Sequence, residues 1–260
     1  MSLPRLTSIL IVFALALSVA PLAQADPLTV TWSDTFDGRV RSAEAVFENV
    51  GGSLQITLTN TSNADAMNQI ELLSGVYWDM GGGVLTPVSV KLNSGSAVYL
   101  ADGSNKDGVT SVTTLGYTTA SQLGGEYAYN GSIVNPSLGS HGVNANGVGG
   151  YFGDSNRFPG DDLDPPESPN GSNFGLTTAG DNLWTSQATQ LMGEPIVKNS
   201  VIFTLSGLSD TFNPLREITN VSFQYGTSLD DAPPIPEPGS IALLGAGILA
   251  LAIRRRRRKQ

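Results

Sequence analysis

The residues best suited to chemistry crowd into one loop, where Asp154, Asn156, Asp161, Asp162, Asp164 and Glu167 fall within fourteen positions. Carboxylate and amide oxygens of this kind can bind calcium in an extracellular medium, and Asp161, Asp162 and Asp164 are the expected ligands. The plainer alternative is a solvated acidic turn. The spacing is not that of an EF-hand loop, because Phe158 stands at the fifth position counted from Asp154, where an oxygen ligand is required. The same carboxylates can serve as the acid and base of a glycosidase only at separations of about 5 Å or about 6.5–9.5 Å with one pKa raised, and nothing in the sequence sets either condition.

Other chemistries fare worse. His141 is the only histidine and sits in a Gly-rich loop, where exposure is expected; cysteine is absent, and no Gly-x-Ser-x-Gly elbow occurs. Zinc would be left with carboxylates alone. Gly147-Val148-Gly149-Gly150 has its glycines out of register for a nucleotide fingerprint and no βαβ unit around it. Trp78, Tyr151 and Trp184 can stack on sugar rings, although a tryptophan in a β-sandwich more often packs in the core. Asn60, Asn130, Asn170 and Asn220 each open an Asn-x-Ser/Thr triplet, read as a by-product of a chain rich in those residues. The expectation is a protein that is not an enzyme and needs no cofactor beyond calcium; a secreted carbohydrate-binding or glycan-active protein is the alternative.

Charge separates the 260 residues into parts. Between Asp26 and Glu237 stand seven Lys and Arg against all 23 Asp and Glu, a formal −16, while six of the remaining basic residues form one block from Arg254 to Lys259. So acidic a body repels phosphate backbones and excludes nucleic acid as a partner. Without cysteine its stability must come from packing, and about 210 residues suffice for a core.

The elements expected to position these residues are strands. In 53–60, Leu54, Ile56 and Leu58 alternate with Gln55, Thr57 and Thr59, giving one apolar and one wet face. Val88, Val90 and Leu92 repeat the pattern, as do Val201, Phe203 and Leu205, and Val221, Phe223 and Tyr225; weaker strands are expected at 28–32, 43–47 and 97–100. Turn clusters such as Asn60-Thr61-Ser62-Asn63 and Asn93-Ser94-Gly95 separate them. Only 68–73 and 184–192 have the makings of short helices. The fold class is therefore all-β, an antiparallel β-sandwich with a jelly-roll-like arrangement as one form of it. The stretch 139–182, rich in Gly, Asn, Asp and Pro yet carrying Tyr151, Phe152, Phe158 and Phe174, is expected to be an ordered loop decorating one side.

Both ends are set apart. Residues 1–25 read as a signal peptide, with Arg5, an apolar run 9–19 too short to span a bilayer, and the small residues Ala23 and Ala25 ahead of a signal peptidase cut. The ectodomain is then 26–231. A Pro-rich linker follows at 232–240, an apolar transmembrane segment at 241–253 and a basic cytoplasmic tail at 254–260. At about 1.5 Å per residue the apolar segment reaches only about 20 Å, so it needs membrane thinning or snorkelling arginines. Arg254, Arg255, Arg256, Arg257 and Arg258 stay cytoplasmic by the positive-inside rule and act as a stop-transfer block.

This order of parts, with Pro236-Glu237-Pro238 ahead of the apolar segment and five arginines behind it, resembles the PEP-CTERM sorting signal. The resemblance implies that Pro236, Glu237 and Pro238 are read by an exosortase in the inner membrane, after the secretion machinery has exported the body, and that the protein passes on toward the cell surface or the extracellular matrix. An ordinary single-pass anchor with a proline-rich stalk is the alternative. Asn156-Arg157-Phe158-Pro159-Gly160, 173–181, 198–205 and 221–227 resemble a family of exosortase-dependent surface proteins without assigned activity. Association with exopolysaccharide is the role these resemblances imply.

Overall fold

The computed structural model describes residues 26–36, 38–101, 112–117, 123–135, 137–163, 169, 171–182, 191 and 193–231. In chain order they form β1 (Leu28–Phe36), β2 (Arg39–Val50), β3 (Ser53–Asn60), β4 (Leu73–Met80), β5 (Thr86–Leu92), β6 (Ala97–Ala101), β7 (Val112–Leu115), β8 (Ala128–Asn130), β9 (His141–Asn144), β10 (Leu176–Thr177), β11 (Pro195–Lys198), β12 (Ser200–Ser206), the one-turn helix α1 (Pro214–Glu217) and β13 (Ile218–Tyr225). The described residues are all-β in class.

Alternation dictates the first sheet, ordered β1-β2-β3-β12-β5. Ala43, Ala45 and Phe47 of β2, Leu54, Ile56 and Leu58 of β3, and Val201, Phe203 and Leu205 of β12 are buried, while their intervening neighbours are not. Each large aliphatic side chain so buried contributes about 1.5–3 kcal/mol. Gly51 and Gly52, both at positive φ, close the β2–β3 hairpin in two residues, a geometry that matches strand twist but is strained for other residues. Val88 departs from expectation. Leu205 pairs with Pro87 and Thr204 with Ser89, so Val88 is an extra residue in a bulge and turns outward, while Val90 stays buried.

The second sheet runs β7-β6-β11-β10-β4-β9-β8, with β13 also paired to β4. Its ladders are antiparallel, as expected, except the two-residue β10–β11 pairing, which is parallel and makes this sheet mixed. Both sheets feed one core: Phe47 meets Trp78, and Trp32 meets Phe223 and Tyr225. β4 is covered on its far side too, where Tyr77 packs with Ala128, Ile133, Leu138 and Phe152.

The segment 139–182 is not a decoration. It contributes β9 and β10, and Phe158 and Phe174 belong to the main core. The expected helix at 68–73 shrinks to a 3-10 turn, Gln69–Glu71, in which Asn68 Oδ1 accepts from the Ile70 N–H and Glu71 Oε2 accepts from the Asn68 N–H. Most of 184–192 lies outside the described residues. No helix among the described residues is long and apolar enough to cross a membrane, and 241–253 lies outside them.

Candidate functional site

The acidic loop is held by backbone and by one arginine. Phe158 N–H donates to the Tyr127 carbonyl, the Leu163 N–H donates to Glu126 Oε1, and Phe158 seats its ring 5.7 Å from Phe203. Gly125 permits the approach, since a Cβ there would lie 1.9 Å from the Asp161 carbonyl oxygen. Arg157 Nε sits 3.3 Å from Asp154 and its Nη1 sits 3.7 Å from Asp162, so two of the loop's carboxylates converge on a cation supplied by the chain itself. Asp161 is exposed; Asp164 and Glu167 lie outside the described residues. Among the described residues no three His, Cys, Asp or Glu side chains gather into a metal cage.

His141 is buried, contrary to the exposure expected from its Gly-rich surroundings. β9 sets it directly opposite Trp78 of β4, with the rings stacked at 5.9 Å. Tyr129 Oη lies 2.8 Å from His141 Nδ1 and accepts from the Leu85 N–H at 3.0 Å. The phenol thus bridges a backbone N–H and an imidazole nitrogen and ties β9 to the loop ahead of β5. Burial pushes the imidazole below the ordinary histidine value despite the pull of Asp79, so it is a neutral packing group. Glycine neighbours had signalled a loop; they mark close backbone approach instead, as at Gly139, where a Cβ would fall 2.2 Å from the Trp78 backbone. Trp78 itself is fully buried, Tyr151 is partly buried, and Trp184 lies outside the described residues.

A third constellation was not anticipated from the sequence. Arg41, pointing inward from β2, is almost fully buried; its Nε and Nη2 donate to Asp34 Oδ1 and Oδ2 at 3.0 and 2.7 Å. Its guanidinium lies 4.6 Å from the Phe36 ring centroid and 5.2 Å from that of Tyr225, and Nη1 donates to the Ile70 carbonyl at 3.3 Å. Next to it Arg39 pairs with Glu71, and the two arginines line a shallow groove with Ser62, Asp65 and Glu71. The available signal was Asp34 and Arg41 at core-facing positions of adjacent strands, where a bidentate pair can form. Such a cluster clasps the two sheets, because Tyr225 of the second sheet also donates from its hydroxyl to the Ser42 carbonyl of the first at 2.8 Å.

Among the triplet asparagines, Asn60 is buried and donates to the Leu176 carbonyl, Asn220 is exposed, Asn130 donates to the Tyr151 carbonyl, and Asn170 lies outside the described residues. Ala23, Ala25, Pro236, Glu237, Pro238 and Arg254 to Arg258 also lie outside them.

Comparison with known families concerns that tail. The chain carries a PEP-CTERM protein-sorting motif: the family model for the motif matches residues 234–258, from Pro234 through the last of the five arginines. The motif supports an exported, membrane-passing protein that an exosortase sorts to the cell surface. No curated protein and no solved structure matches the chain.

Proposed function

We propose that this is a non-enzymatic surface or matrix protein that works by being displayed, its acidic β-sandwich meeting exopolysaccharide and calcium outside the cell. The observation that carries the reading is the sorting motif at 234–258. Signal peptidase removes residues 1–25 after Ala23-Gln24-Ala25, and the short segment 241–253 holds the exported body at the inner membrane. Each arginine at a helix centre costs about 2.5–3.5 kcal/mol on insertion scales, so Arg254 to Arg258 stop transfer and fix how far Pro236-Glu237-Pro238 stands from the outer membrane–water boundary. An integral enzyme can then read that extended tripeptide in register. The internal engagement of His141, Asp154 and Asp162 supports a structural rather than a catalytic use of these side chains. Calcium, in this reading, binds at Asp161, Asp162 and Asp164.

The test is Glu237→Ala, which leaves the anchor intact and alters the motif. Uncleaved protein is expected to accumulate in the inner membrane fraction, with little outside. Processing and display like the parent, or processing unaffected by loss of the exosortase, would replace this reading with a plain anchor.

A further inference from the structure

The edges of the two sheets are unequal. β5 carries Pro87, the bulge at Val88 and Lys91; β13 is broken by two register shifts; β7 and β8 have only four and three residues. Bulges, prolines, shortness and charged side chains are devices that keep an edge from pairing with another chain. β1 has no bulge, proline or lysine and is not short, and its one inward charge, Asp34, is neutralised by Arg41. It runs nine residues in unbroken register with β2, its sole strand partner among the described residues.

Its side chains are also matched to themselves. Thr29, Thr31, Ser33 and Thr35 are all exposed on the outer face and are symmetric about Trp32. In an antiparallel pairing centred on Trp32, Thr31 falls opposite Ser33 of a second copy and Thr29 opposite Thr35, hydroxyl pairs of the kind that stabilise cross-strand contacts. On the inner face Leu28 falls opposite Phe36, one of the exposed large hydrophobic side chains. The only charge on the strand, Asp34, faces Val30 and is already bidentate with Arg41. β1 is thus a neutral strip on a body of formal charge −16, a place where two like-charged copies can meet without opposing carboxylates directly.

We propose that β1 is a self-association edge, on which a second copy of this chain pairs its own β1 antiparallel about Trp32 and joins two five-stranded sheets into one. This deepens the display reading but does not depend on the sorting route, because it is tested on purified chain.

The absence of cysteine makes the register directly readable. Full-length chain in detergent is prepared as Thr31→Cys, Ser33→Cys and Thr57→Cys, the last on β3, and the preparations are mixed pairwise and oxidised. A disulfide needs Cα atoms within about 7 Å, so Thr31→Cys with Ser33→Cys should cross-link well above Thr31→Cys alone, whose copies meet only diagonally, and above either paired with Thr57→Cys. Sedimentation then compares Ser33→Lys with Thr57→Lys, which add the same charge to an edge and to an interior strand. Ser33→Lys should weaken the dimer by about tenfold or more and Thr57→Lys leave it near the parent. Added salt should strengthen the parent dimer by screening the acidic bodies. Equal weakening by both lysines, no excess of the Thr31–Ser33 cross-link, or a monomeric parent at high salt would overturn the proposal.

Discussion

Arg41 and Asp34 form a two-point ion pair at 2.7 and 3.0 Å across the β1–β2 ladder, with the guanidinium almost wholly removed from water and Asp34 about one quarter exposed. The pair sits where the two sheets meet, against Phe36 and Tyr225. Removing one partner of such a pair is costly because the other charge stays buried and unpaired. Asp34→Ala is therefore expected to lower stability by about 3 kcal/mol, the lower end of the range for fully buried pairs, since Asp34 keeps some contact with water. Replacing both, as Asp34→Leu with Arg41→Met, should cost clearly less than the single change. Urea unfolding midpoints of the three proteins check the order.

His141 makes stability depend on pH in a defined direction. Burial holds its imidazole below the ordinary value, so on acidification the unfolded chain takes up a proton near pH 6.5 that the folded chain still refuses. Stability therefore falls as pH drops below about 6.5 and is unaffected by this group above it, with a slope of up to about 1.4 kcal/mol per pH unit. The imidazolium would have to donate from Nδ1 to the Tyr129 hydroxyl, which also accepts from Leu85. His141→Gln is expected to shrink the stability difference between pH 7.5 and pH 5.5, measured by thermal unfolding. A difference equal to the parent's would place the acid sensitivity in other groups.

Legibility in the sequence followed exposure. β3 and β12 were readable residue for residue because one face of the first sheet is wet, which leaves the alternation of Leu54, Ile56 and Leu58, and of Val201, Phe203 and Leu205, in plain view. β4 was invisible. Its residues from Leu73 to Trp78 are all buried, with Val76 and Trp78 in the main core and Tyr77 in the smaller one, and even the polar Ser74 is buried, so no exposed polar residue marks a second face. His141 and the glycines around it misled for a related reason: glycine reads as loop, yet here it lets β9 and the neighbouring chain approach β4 closely. Arg41 could not be located because the partner that neutralises it is fixed by strand register, which the turn between β1 and β2 sets.

Gly125 tests how firmly the acidic loop is docked. A methyl group there would overlap the Asp161 carbonyl, three residues beyond Phe158 of the main core. Gly125→Ala should cost about 1–3 kcal/mol, as overpacking does, and should raise proteolytic nicking within 153–163. Gly83→Ala, with open space around it, is expected to stay within about 0.5 kcal/mol of the parent.

Calcium and Arg157 should compete. Arg157 lies between Asp154 and Asp162, so a divalent ion drawing on Asp162 and Asp161 must displace a cation that the fold already supplies. An extracellular site of modest affinity, with Kd about 1 mM, would add about 1.4 kcal/mol at about 10 mM calcium, a rise of about 3–6 °C for a domain of this size. Arg157→Gln removes the competitor, leaves its two carboxylates repelling each other, and exposes them to the ion. That variant should be less stable than the parent without calcium and gain more from its addition, whereas Asp161→Asn with Asp162→Asn should lose the response. Magnesium at the same concentration controls for screening, which any divalent ion gives to a body of this charge. Thermal unfolding that shifts equally in the parent, in Arg157→Gln and in the double asparagine variant would assign the effect to screening and leave the acidic loop a solvated turn clipped by its own arginine.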